Sequence, residues 1–141
     1  MSTDPVSIDL VNTDPTSTDL FEAARHASER SHSPYSGFPV GAALRTASGA
    51  IHAGANMENA AFPEGWCAET SALAHMVMAG ETRFTAIAVY APKMPGITPC
   101  GGCRQRLKEF ADADAEVHLC DDTGVTRTTT VGELLPAAFD L

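Results

Sequence analysis

The first clear periodicity along the chain begins at Leu20, where Leu20, Ala23, Ala24 and Ala27 recur at the spacing of one helical face. Asp19 followed three residues later by Glu22 has the form of a helix start. Pro34 disfavours helical geometry in the residue before it, so this helix is expected to end near Ser33. Two short apolar segments, 40–46 and 50–57, then flank Ala47-Ser48-Gly49 and predict a β-hairpin. Residues 67–80 read as a helix, since Ala68, Ser71, Ala72, His75, Met76 and Ala79 fall at helical spacing and Gly80 supplies a cap. The run 84–91 is apolar at most positions, the pattern of a strand buried on both faces. Residues 100–111 predict a further helix, 116–120 and 125–131 two more strands, and 131–139 a short closing helix.

The link at residues 121–124 is too short for a crossover, so the last two strands are expected to be antiparallel. Strands joined through helices are expected to be parallel. The fold class that follows is α/β, with a mixed sheet of about five strands covered by helices in a three-layer α/β/α arrangement. Ahead of this pattern, residues 1–17 are rich in Ser, Thr, Asp and Pro, and they repeat Thr-Asp-Pro at Thr3 to Pro5 and Thr13 to Pro15. The expectation is a disordered acidic tail over 1–17 followed by one domain over 18–141.

A formal net charge of −9 argues against binding DNA, RNA or an anionic membrane, because phosphate recognition rests on clustered Lys and Arg. An uncharged small molecule is not excluded. No apolar run is long enough to span a membrane and the start of the chain has no secretory pattern, so the expected location is the cytosol. In that reducing setting the four cysteines point to metal ligation or redox chemistry rather than disulfides.

Three of them stand in a telling arrangement. Cys67-Ala68-Glu69 opens one predicted helix and Pro99-Cys100-Gly101-Gly102-Cys103 opens the next, with 32 residues between Cys67 and Cys100. In a βαβ arrangement the two helix starts meet at one sheet edge, where helix N-termini favour thiolates and three sulfurs can converge on one zinc ion. Three protein ligands leave a fourth position for water. Glu69, two residues past Cys67, is close enough to exchange protons with that water while staying off the metal. A zinc ligand, one residue, Glu, and a later Pro-Cys-x-x-Cys form the signature of zinc-dependent nucleobase deaminases, here with cysteine throughout.

At these residues the chain resembles the cytidine deaminase family in its small homotetrameric, three-cysteine form. The likeness extends over roughly residues 20–139. It is also carried by Ser33-Pro34-Tyr35-Ser36-Gly37-Phe38-Pro39-Val40-Gly41-Ala42-Ala43, by Asn56-Met57-Glu58-Asn59-Ala60-Ala61-Phe62, and by Glu133-Leu134-Leu135-Pro136-Ala137-Ala138-Phe139. The resemblance implies hydrolysis of cytidine or deoxycytidine to the uracil nucleoside and ammonia, in pyrimidine salvage, with Zn²⁺ as cofactor. It implies that Phe38, Asn56 and Glu58 hold the nucleoside, that the Ala68 amide binds the base oxygen, and that a backbone carbonyl near Thr98 accepts from the amino group. It further implies a homotetramer whose active sites are shared, with Phe139 reaching a neighbour's base.

One departure concerns charge. Many cysteine-type members have Arg directly after the catalytic acid, where this chain has Thr70. Three thiolates around Zn²⁺ leave about one net negative charge, which weakens the metal's ability to acidify its water. Arg104, the two helix starts and the Thr70 hydroxyl are the expected compensation. A substrate shift toward a modified or antibiotic cytosine nucleoside, as in the blasticidin deaminases, is the rival within the enzyme class. A structural zinc module, with Cys120, His118 or His75 as fourth ligand, is the rival outside it. A redox pair at Cys100 and Cys103 leaves Cys67-Ala68-Glu69 unexplained. Cys120, His75 and Met76 otherwise read as packing residues, His26, His32 and His52 as surface, and Phe62, Pro63 and Trp66 as either core or pocket lining, with their closeness to Cys67 favouring the pocket.

Overall fold

Proline is tolerated in the first turn of a helix, where its missing N–H has no partner to lose, and Pro15 stands at the start of α1, Pro15–Ser28. The computed structural model describes residues 15–141. The helix therefore begins four residues before the expected start at Asp19. Its inner face is Ser17, Leu20, Phe21, Ala24 and Ser28, and the two serines hide this face from an apolar count. It also ends earlier than Pro34 would dictate, because His32 is already drawn into backbone pairing with Met57. The tail expected over 1–17 lies outside the described residues, apart from its last three positions, which belong to α1.

The hairpin forms as expected from β1, Gly41–Thr46, and β2, Ile51–Ala55. Gly49 in its turn has φ of 94°, a conformation that favours glycine. Next come α2, Ala68–Met78, then β3, Phe84–Tyr90, and α3, Gly101–Glu109. The chain closes with β4, Glu116–Asp121, β5, Gly124–Thr130, and α4, Val131–Leu134, which is shorter than the helix expected to run to residue 139. The five strands lie in the order β2-β1-β3-β4-β5. β3 and β4, joined through α3, are parallel, and β5 runs antiparallel to β4. β1 lies antiparallel between β2 and β3, so those two, joined through α2, point the same way.

Alternation along the strands divides the core in two. Ala42, Leu44, Ile87, Val117 and Leu119 pack with Ala72, Leu73 and Met76 of α2, Leu107 of α3 and Val131 of α4. Ala43, Ala88, Tyr90, Cys120 and Val125 pack on the other face with Leu20, Phe21 and Ala24 of α1. Cys120 is thus a core residue, as read from the sequence. Two glycines set how closely the helices approach. A Cβ on Gly41 would lie 1.9 Å from the Ala24 carbonyl oxygen, and one on Gly54 would lie 2.5 Å from the Ala72 amide nitrogen of α2. Among the described residues no helix is long and apolar enough to cross a membrane.

Candidate active site

Both helix starts expected at the site form, and each places its cysteine by the same local device. Cys67 is the N-cap of α2 and Cys100 the N-cap of α3, each in extended backbone. With helical geometry beginning one residue later, Cys103 falls in the first turn of α3 and is buried. The Cys67 and Cys100 sulfurs are 3.8 Å apart, and the ligand atoms of Cys67, Cys100 and Cys103 all lie within 4.8 Å of one another. All four cysteines are free thiols. A hydrogen bond from Cys103 holds the Cys67 thiol below its ordinary value, while the same bond and burial push Cys103 up.

Three soft sulfurs at this spacing, set at helix N-termini, fit a zinc ion with one position left for a small molecule. None of the suggested fourth ligands joins them. His118 is buried with its Nδ1 2.8 Å from the Thr128 hydroxyl, His75 Nδ1 is 3.3 Å from the Ala53 carbonyl oxygen, and Cys120 contacts the His118 carbonyl. His52, expected at the surface, has a side chain only 11% exposed and packs edge-on against His75, with ring centroids 5.1 Å apart.

Glu69 lies in the first turn of α2, one residue past the buried Ala68, and is itself only 4% exposed. Burial pushes its carboxyl above the ordinary value, against the opposing pull of its own backbone amide, Cys103 and Arg106. The acid thus sits beside the sulfurs in a site that favours holding a proton.

Glu69 opens onto a cavity of about 340 Å³, within the range of small-molecule sites. Asn56, Glu58, Ala68, Thr98, Cys67 and Cys100 line it, as do Phe62 and Trp66, whereas Pro63 does not. The segment after β2 is fixed there by two ladders. Met57 and Trp66 exchange backbone hydrogen bonds of 2.9 Å in both directions, and Glu58 N donates to His32 O at 2.8 Å. Asn56 is a cross-link, its Oδ1 accepting from Val40 N at 2.9 Å and from Ser31 Oγ, its Nδ2 donating to Phe38 O at 2.9 Å. Glu58 Oε1 accepts from the amides of Tyr35 and Ser36 at 3.0 and 3.1 Å, and Oε2 accepts from Ser36 Oγ. These bonds, the Ser36 hydroxyl foremost, hold the Glu58 carboxyl below the usual range.

Two expected substrate contacts are not brought to this cavity by the chain itself. Phe38 is half-buried beside Asn56 but does not line the cavity, and Phe139 is 69% exposed, with its carbonyl accepting from Gln105. Arg104 meets the backbone beside the cluster rather than a sulfur: Nε donates to Pro99 O at 2.8 Å and Nη1 to Leu134 O at 3.1 Å. Thr70 Oγ1 does reach Cys103 Sγ, at 3.7 Å. The cation at a sulfur is Arg106, with Nη1 3.9 Å from Cys103 Sγ. Sequence reading passed over it, although residues three apart on a helix are neighbours. It also passed over Val40, Met57, Val89 and Ile97, which line the cavity and carry no chemical signal of their own.

Sulfur ligands at paired helix starts, a buried carboxyl beside them and a nucleoside-sized cavity in an α/β/α frame define a zinc-type hydrolytic deaminase. Residues 15–119 match the cytidine and deoxycytidylate deaminase zinc-binding region. The cytidine deaminase of Sporosarcina psychrophila is 42% identical over 85% of this chain and 88% of its own length. That of Halalkalibacterium halodurans is also 42% identical, over 85% and 91%. Among solved structures, the cytidine deaminase of Burkholderia pseudomallei superposes with a TM-score of 0.82 at 44% identity, covering 86% of this chain and 97% of its own. The chain belongs to the cytidine deaminase family.

Proposed function

We propose that this protein hydrolyses the C4 amino group of cytidine, giving uridine and ammonia, with Zn²⁺ as cofactor. The observation that carries the proposal is the placement of Glu69: a buried carboxyl in the helical turn that follows Cys67, facing the cavity that Cys67 and Cys100 also line. When bound by Cys67, Cys100 and Cys103, zinc supplies the Lewis acidity that lets water attack near neutral pH. Glu69 takes the proton that the attacking water loses and delivers it to ring N3, and it then assists protonation of the departing amino group. Water oxygen ends at C4, and ammonia carries away the amino nitrogen. Neither oxidation nor reduction occurs.

Orientation falls to the remaining lining residues. The Ala68 amide stands at the open N-terminus of α2, where N–H groups lack helical partners, and is suited to the base oxygen. The Thr98 carbonyl is assigned to the amino group, and Asn56 and Glu58 to the ribose hydroxyls. Glu58 already accepts three hydrogen bonds, two on Oε1 and one on Oε2, and Oε2 retains an acceptor site for a sugar hydroxyl. Phe38 and Phe139 are assigned to the base, and a homotetramer is the proposed assembly. The exposure of Phe139, away from the chain's own cavity, supports a shared site, as does that of Met57, Phe62 and Trp66, which line the cavity. Subunit mass in solution, with the activity of mixtures of Glu69→Gln and Phe139→Ala subunits, tests whether sites are shared. Activity recovered on mixing supports sharing; its absence in stable mixed tetramers contradicts it.

A further inference from the structure

Cys103 is fully buried, and its sulfur is approached from two helices: by the Thr70 hydroxyl of α2 at 3.7 Å and by the Arg106 guanidinium of α3 at 3.9 Å. Nothing in the fold requires Arg106 there. It belongs to the last turn of α3, where a cation suits the helix dipole by itself. Its side chain nevertheless runs back toward the helix start. A Cβ on Gly102 would lie 3.4 Å from Arg106 Nη1 and 3.8 Å from Cζ, so the guanidinium lies across the bare Gly102 backbone.

The other nearby cation is committed elsewhere. Arg104 uses Nε and Nη1 on the Pro99 and Leu134 carbonyls and places Nη2 3.4 Å from Thr98 Oγ1. It fastens backbone and leaves the sulfurs alone. When three thiols release their protons to solvent and bind one Zn²⁺, the cluster passes from neutral to one net negative charge. A guanidinium at a ligand sulfur offsets that charge, and by withdrawing electron density from the sulfur it preserves the Lewis acidity on which water activation depends.

We propose that Arg106 is the charge-balancing residue of the zinc–thiolate cluster, acting through Cys103 with Thr70 as the neutral second donor. This rests on the zinc reading above and deepens it. Arg106 does not touch substrate in this assignment; it is a positioning and charge-setting residue.

The test compares the wild-type protein with Arg106→Ala, Arg106→Lys and the double variant Thr70→Arg/Arg106→Ala. Apparent zinc affinity is measured by competition with a chromophoric chelator at fixed pH, together with the energy of the thiolate-to-metal charge-transfer band after cobalt substitution. Arg106→Ala is expected to lower zinc affinity about 10- to 100-fold, the range usual for groups behind a metal ligand, and to move the cobalt band. Arg106→Lys is expected to recover part of the loss, since a point charge lacks the planar fork. Thr70→Arg is expected to recover part of it from the opposite helix. Unchanged affinity and band in Arg106→Ala overturn the proposal. A loss that is relieved neither in Arg106→Lys nor by the cation relocated to position 70 also overturns it, because the effect is then packing and not charge. Failure of the wild-type protein itself to take up one zinc per chain defeats the zinc reading instead, and the two failures are thereby told apart.

Discussion

Cys67 and Cys100 are the N-caps of two helices, with their sulfurs 3.8 Å apart. Each side chain occupies the point where a helix offers free N–H groups and partial positive charge, a setting that suits a metal-bound thiolate. Replacing Cys100 by Ala leaves two sulfurs and opens the cage. The expected outcome is loss of zinc and activity together, read by metal analysis of the purified protein. Full zinc occupancy in Cys100→Ala contradicts its assignment as a ligand.

Glu69→Gln keeps the volume of the side chain and removes its ability to carry protons. Turnover is expected to fall by about 10²- to 10⁴-fold or more while zinc content and the thermal transition stay near wild type. A variant with comparable kcat contradicts the proton-transfer role.

Much of this site was legible in the sequence, because its chemistry is local. Cys67, Glu69, Cys100 and Cys103 are placed by helix starts that spacing alone reveals. Arg106 was not, since a basic residue late in a helix has an ordinary explanation and only the folded structure shows its guanidinium turned back over Gly102. The early start of α1 was missed for a related reason: Ser17 and Thr18 are buried, and a count of apolar positions sees neither. Phe38 and Phe139 mark another limit, because the cavity that the sequence assigns to them is not one that this chain builds around them by itself.

The close helix contacts make a stability prediction. Gly41 meets the backbone of α1 and Gly54 that of α2, with hypothetical Cβ distances of 1.9 and 2.5 Å, and backbone cannot swing aside as a flexible side chain does. Gly41→Ala and Gly54→Ala are each expected to destabilise the fold by about 1–3 kcal/mol or more. Gly54→Ala should also weaken zinc binding, since α2 carries Cys67 and Glu69. Urea unfolding midpoints check the first statement and chelator competition the second.

Glu58 offers a pH test. Its carboxyl is held below the usual value by the Ser36 hydroxyl and the Ser36 and Tyr35 amides. A depressed acid contributes its interaction fully above the ordinary carboxylate value and loses it as pH falls through the lower, folded one. The ¹³C carboxyl resonance of Glu58 is therefore expected to titrate below that of a free glutamate, and Ser36→Ala should move it back upward. Glu58→Gln should raise KM for the nucleoside more than it lowers kcat, as expected for a group that binds ribose in ground and transition states alike.

The most direct measurement is of the products. Purified protein carrying one zinc per chain is incubated with cytidine, and ammonia and uridine are quantified before and after chelation and again after zinc is restored. Equal amounts of uridine and ammonia, lost on chelation and regained with zinc, are the expected result. Folded, zinc-loaded protein that leaves cytidine intact contradicts the central claim and directs attention to modified cytosine nucleosides.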